Sequence, residues 1–355
     1  MKRKNELSLS EPICRAYNYF GFETSTLSSN PSIRNWYLND VVNLRCCTRF
    51  LRGEYSSPEI NMVNGRNLHC PYYERVVYPM RFARGYINYI IKALIDEGYY
   101  VCYANVDDYY LEGKSWYKER HRGHDGMIFG YDDNEKTYSI LAYDSEWRFR
   151  PMVIKQSSFD KGREAIFKKG QYGKVVGIKP KETEVLLDAE KIENNLKIYL
   201  TTGTSVEEKS GRDFVQGIGS QELLIAYIQM LSDGKIKHEM TDNRVLRLLW
   251  EHKVIMLERL QKMEELLGLD NSVSQEYQSV VSEANKIRIL YASYCKKKRE
   301  SLLLVIINGL EKIIKDEKKL LTEFLKKIKN KKTKKNKNFL KKFLETLTKT
   351  VRVRE

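Results

Sequence analysis

The apolar pattern of this chain changes period once, near residue 185, and that change limits the folds open to it. Before it, short runs rich in aromatic and β-branched residues are separated by turn residues. After it, from Leu187 onward, apolar residues recur at three-and-four spacing in blocks closed by Gly203, Gly234 and Gly268. Runs of the first kind bury themselves as strands and those of the second as helices, so the chain reads as α+β, a domain with an antiparallel sheet followed by an all-α domain. Its 355 residues, 42% hydrophobic and including 24 tyrosines, suffice for two cores. The expected division is 1–185, 186–330 and a basic, flexible tail at 331–355.

Within the first part, "RFARGYINYIIKALIDEG" predicts a helix that buries Phe82, Tyr86, Tyr89, Ile90, Ala93 and Leu94 and stops at Gly98. "YYVCYANVDDYYL", "GMIFGYDD" and "KTYSILAYD" predict three strands, the last two forming a hairpin around Asp133 and Asn134. "VVGIKPK" adds a further strand at 175–181. In the helical part, Ser220, Asp242 and Ser272 are the expected N-caps.

The net charge of +15 is local: residues 296–355 hold 21 Lys+Arg against 7 Asp+Glu, whereas the preceding 295 hold 41 against 40. The body is balanced, and the lysine block suits an acidic partner or a membrane surface. It does not suit base reading, because only Phe339 and Phe343 interleave it, arginine is scarce and no recognition module accompanies it. The six cysteines (Cys14, Cys46, Cys47, Cys70, Cys102, Cys295) follow neither CxxC nor Cys/His spacing, so no zinc site or disulfide framework is expected. With no signal-peptide pattern at the start, a reducing cytoplasm is the simplest setting. The run "SLLLVIINGL" is about half a membrane span.

Chemistry concentrates in "HRGHDGMIFGYDDNEKTYSILAYD", residues 121–144. In an antiparallel hairpin the start of the first strand lies beside the end of the second, so His124 and Asp144 can meet. A cysteine thiolate activated by an imidazole that a carboxylate orients is the papain-type arrangement. An ordinary hairpin histidine and a turn-forming aspartate fit the same spacing. Cys14, after Pro12 and ahead of a possible helix, is the best-placed nucleophile, with Cys46 the alternative. His121 and His124 lack a third ligand with matching spacing, so no metal is expected.

The stretch "YYVCYANVDDYYLEGKSWYKERHRGHDGMIFGYDDNEKTYSILAYD" resembles the N-terminal domain of the butirosin biosynthesis protein H family, a papain-like fold related to peptidases that trim bacteriocin leaders. "DNRVLRLLWEHKVIMLERLQKM", with its Glu-His-Lys and Met-x-x-Arg-Leu pattern, is similar to the helical region that follows that domain. The resemblance implies acyl transfer from a carrier-protein thioester to an amine in bacterial antibiotic biosynthesis, through Cys14, His124 as base and Asp144 as its orienter. It implies no cofactor, and an acyl carrier protein or a peptide precursor as partner. The alternative is a papain-like module that binds such a partner without catalysis.

Overall fold

The computed structural model describes residues 3–64, 70–207 and 211–352, with backbone alone for 207, 240 and 335–352. Two compact units divide it: Met1–Tyr37 with Asn64–Leu187, and Leu38–Val63 with Asp188–Glu355. The boundary after Leu187 matches the change of period. The segment 38–63, expected within the first domain, belongs instead to the second unit.

In chain order, β1 (Lys4–Glu6) precedes α1 (Asn18–Thr24) and α2 (Arg34–Asp40), and the 38–63 segment then contributes β2 (Leu44–Cys47) and β3 (Ile60–Met62). Unit 1 resumes with β4 (Tyr73–Pro79), α3 (Ile87–Asp96), β5 (Tyr100–Asp107), β6 (Gly123–Asp132), β7 (Thr137–Tyr143), β8 (Phe149–Lys155), α4 (Gln156–Lys168) and β9 (Lys174–Pro180). Unit 2 continues with α5 (Ala189–Leu200), β10 (Gly203–Glu207), β11 (Arg212–Gln216), α6 (Glu222–Ser232), α7 (Arg244–Leu267), α8 (Ser272–Lys297) and α9 (Ser301–Arg352).

Unit 1 is built on an antiparallel sheet of order β4-β9-β5-β6-β7-β8, with β1 pairing the far end of β6. The predicted hairpin is β6–β7, and the predicted strand at 175–181 is β9. Ile87, Ile91, Leu94 and Ile95 of α3, with Phe159 and Phe167 of α4, pack on the sheet face that presents Val101, Tyr103, Ile128, Ile140 and Ile154. Of the expected stripe Leu94 is buried and Ile90 packs against the core, but its aromatic residues do not. Phe82, Tyr86 and Tyr89 are exposed, at 75, 72 and 60%. Phe82 and Tyr86 precede the first helical residue, and the unbroken pair Ile90-Ile91 let the periodicity be read one position out of phase.

Unit 2 is not all-α. Its four-stranded antiparallel sheet runs β10-β11-β2-β3, and the 38–63 segment supplies half of it. On α8 the buried residues Val273, Tyr277, Val280, Ala284, Ile287, Tyr291 and Tyr294 repeat at alternating four and three, the seam of a helix that packs lengthwise. On α9 the matching row is Leu303, Ile306, Leu310, Ile313, Glu317, Leu320 and Phe324. The two helices approach closely at Gly309, where a Cβ would stand 2.4 Å from Cγ2 of Ile287. Backbone helix continues unbroken to Arg352, so no boundary falls at 330; the side chains of Phe339 and Phe343 lie outside the described residues. The helix caps sit one residue from those expected, at Gln221, Asn243 and Asn271. Among the described residues no helix is long and apolar enough to cross a membrane.

Glu317, a carboxylate in an apolar row, is accounted for by the Glu-His-Lys motif of α7. Lys253 lies 2.7 Å from it, Tyr199 and Gln221 donate to it at 2.9 and 2.8 Å, and Tyr277 donates to its other oxygen. Burial opposes ionisation of both partners. It lowers Lys253 below the lysine range, whereas Lys253 and His252 outweigh it at Glu317 and keep that carboxyl below the usual carboxylate range. His252 donates from Nε2 to the carbonyl of Val42 at 2.8 Å, and Arg259 donates to the carbonyls of Leu38 and Val41 at 2.6 and 2.9 Å. His252 and Arg259 thus tie α7 to the inserted 38–63 segment through carbonyls at and just beyond the C-terminal end of α2.

Candidate active site

The site begins with a bulge in β5. Pairing with β6 jumps from Tyr103↔Gly126 to Val106↔His124, and Asn105 takes a left-handed conformation with φ 62°. Asn accepts this more readily than most residues, and its N–H donates to Asp125 at 3.1 Å. Gly123 makes room for it: a Cβ there would meet Oδ1 of Asn105 at 1.9 Å. The bulge brings Asp107 and Asp108, at the end of β5, alongside the start of β6.

Two imidazole–carboxylate pairs result. His124 donates from Nδ1 to Oδ2 of Asp108 at 2.5 Å, and His121 donates from Nδ1 to Oδ2 of Asp107 at 2.9 Å. Both aspartates are fully buried. Oδ1 of Asp107 accepts the N–H groups of Tyr109 and Arg122 at 3.2 and 3.0 Å. Asp108 is backed by Lys114, whose Nζ lies 3.7 Å from Oδ1. Burial lowers the pKa of Lys114, against the opposing pull of Asp108, Asp125 and Asp144. With Nδ1 committed as donor, Nε2 of His124 carries the lone pair. Among the described residues it has no hydrogen-bond partner, and the side chain is about a quarter exposed, at 26%. Trp147 meets the ring edge-on at 6.5 Å, and Tyr109 stacks on His121 at 4.1 Å.

The carboxylate that orients His124 is therefore Asp108 and not Asp144. Asp144 follows β7 where the hairpin geometry placed it, but its oxygens serve the next turn. Oδ1 accepts the N–H groups of Glu146 and Arg148, both at 2.8 Å, and Nε of Arg150 lies 2.5 Å from Oδ2. An aspartate at a strand end captures the N–H two residues on more readily than a side chain on another strand. "VDDYYL" carried the missed signal: two adjacent aspartates closing a strand, followed by two histidines before the next.

Cys14 is fully buried, in the segment before α1. Helix α1 starts at Asn18 with Tyr17 as its N-cap, so Cys14 does not occupy the helix start expected of it. The adjoining backbone runs beside the end of β7, where the Tyr143 hydroxyl donates to the carbonyl of Arg15, and the N–H of Ile13 donates to Thr24 at 3.2 Å. Cys46 lies in β2, in the sheet of unit 2. Burial, with Cys47 and Glu59, raises its pKa and disfavours the thiolate. Burial does the same to Cys102 on β5. Among the described residues no group of three or more His, Cys, Asp or Glu could hold a metal ion.

Neither a scan against protein-family models nor a search of curated proteins finds a match for this chain. The functional reading therefore rests on the geometry around His124.

Proposed function

We propose that unit 1 is a papain-like domain of the butirosin biosynthesis protein H type, acting in a bacterial cytoplasm on a carrier-bound acyl group. Cys14 is the nucleophile, His124 the general base, and Asp108 holds the imidazole. The Cys14 thiolate attacks the thioester carbonyl, and the carrier thiol leaves with the proton that His124 took from Cys14. An amine then attacks the acyl-enzyme, His124 accepts its proton, and the Cys14 sulfur is released. Every step is proton transfer or acyl exchange among these groups and the two substrates.

The observation that carries this reading is the division of labour on one ring: Nδ1 bonded to a buried carboxylate, Nε2 left for a reacting group. Incubation with a small acyl thioester followed by intact-protein mass spectrometry tests it. An acyl adduct located on Cys14, lost in Cys14→Ala and slowed at least about a hundredfold in His124→Ala, is the expected result. An adduct that forms equally in both variants would remove the reading.

The complete burial of Cys14 favours a second reading, in which the domain grips a carrier or a precursor peptide without chemistry. In that case iodoacetamide leaves Cys14 unmodified in the folded chain, and carrier binding survives Cys14→Ala unchanged.

A further inference from the structure

Beside His124, the loop Trp116–Arg122 carries cations that the dyads do not use. The guanidinium carbons of Arg120 and Arg122 lie 5.9 and 5.7 Å from the centroid of the same Trp116 ring, and both side chains are exposed. Elsewhere in unit 1, Arg75, Arg84, Arg150 and Arg163 are each paired with a carboxylate. Among the described residues neither Arg120 nor Arg122 has such a partner.

The loop is tied to the dyads. The N–H of Arg122 donates to Asp107, and its carbonyl accepts the N–H of Asp108 at 2.9 Å. The two residues that hold the imidazoles therefore also fix the backbone that carries the cations.

We infer that Arg120 and Arg122 form a subsite for a phosphate ester borne by the acyl donor. Two guanidinium forks held near one indole ring offer several N–H donors to one small group. A tetrahedral phosphate has oxygens enough to use them, and a carboxylate has fewer. This rests on the carrier-thioester reading above, since the arm that presents such a thioester is itself a phosphodiester. Free phosphate has the same chemistry and must be told apart from it.

Calorimetric titration of the full chain with 4′-phosphopantetheine, pantetheine and inorganic phosphate makes the distinction. The phosphorylated arm is expected to bind at least about tenfold tighter than pantetheine, with phosphate alone weaker than the arm. The Arg120→Ala/Arg122→Ala double variant should abolish that difference and leave pantetheine binding as it was. If the double variant fails to fold, Arg120→Lys/Arg122→Lys keeps the charges and loses the forks, and should still lose most of the discrimination. Equal affinities for the two arms, or a difference that persists in the variant, overturns the proposal, as does phosphate binding as tightly as the arm. So does a single-stranded oligonucleotide whose binding the variant abolishes while the arms go undiscriminated. Repeating the titration with Cys14→Ala separates this subsite from the catalytic reading, because phosphate discrimination there does not depend on acyl transfer.

Discussion

Asp108 and Asp144 are both buried carboxylates beyond strand ends, yet one holds an imidazole and the other the backbone N–H groups of its own turn. Mutation should separate their roles. Asp108→Asn leaves an amide that no longer favours the Nδ1–H tautomer of His124, and acylation by a small thioester is expected to fall by about a hundredfold or more. Asp144→Asn keeps an acceptor for the N–H groups of Glu146 and Arg148 and should change that rate less than about threefold, while losing about 1 kcal/mol of stability with the Arg150 contact. Rate and melting temperature of both variants decide it. His124 was legible in the sequence because it opens a strand in a readable hairpin. Asp108 was not, since the bulge at Asn105 that delivers it depends on the missing Cβ of Gly123 one strand away.

At the level of elements, periodicity located strands and helices better than it located their faces. The β6–β7 hairpin and β9 were legible from alternation and turn residues alone. On α3 the aromatic residues outweighed the aliphatic ones in the reading, yet Ile87, Ile91, Leu94 and Ile95 form the buried stripe. Ile91→Ala should cost about 2–4 kcal/mol by leaving a cavity against the sheet, whereas Tyr89→Ala should stay within about 0.5 kcal/mol of wild type. Urea unfolding of the two variants checks the phase directly. The second sheet escaped notice for another reason. Its strands β2 and β3 are four and three residues long, and β11, which pairs with β2, lies far along the chain, so no local pattern announced that pairing.

Across the whole molecule, the two units respond to pH in opposite directions through their buried titratable groups. In unit 1, burial lifts Glu23 from 4.5 to about 7, with Arg75 at 2.8 Å only partly offsetting it. The folded state then binds the proton more tightly than the unfolded one, so this contribution is full below about pH 4.5 and is lost as pH rises through 7. The loss amounts to about 3 kcal/mol, the worth of that shift. In unit 2, burial first and Lys253 second depress His252 from 6.5 to about 3. Its contribution is full above pH 6.5 and fades as pH falls toward 3. Hydrogen exchange followed unit by unit from pH 4.5 to 7 should show the Glu23 component of unit 1 protection falling and the His252 component of unit 2 protection rising. Glu23→Gln should flatten the first component alone and His252→Gln the second alone.

The 38–63 segment also sets a timetable for synthesis. Cys47 pairs with Phe214, 167 residues later, so the ribosome works for about 10–30 s after β2 emerges before its neighbour exists. During that interval the nascent chain holds an unpaired apolar strand edge in the middle of a nearly complete unit 1. The step most exposed to chaperones or aggregation is then the waiting of β2 and β3.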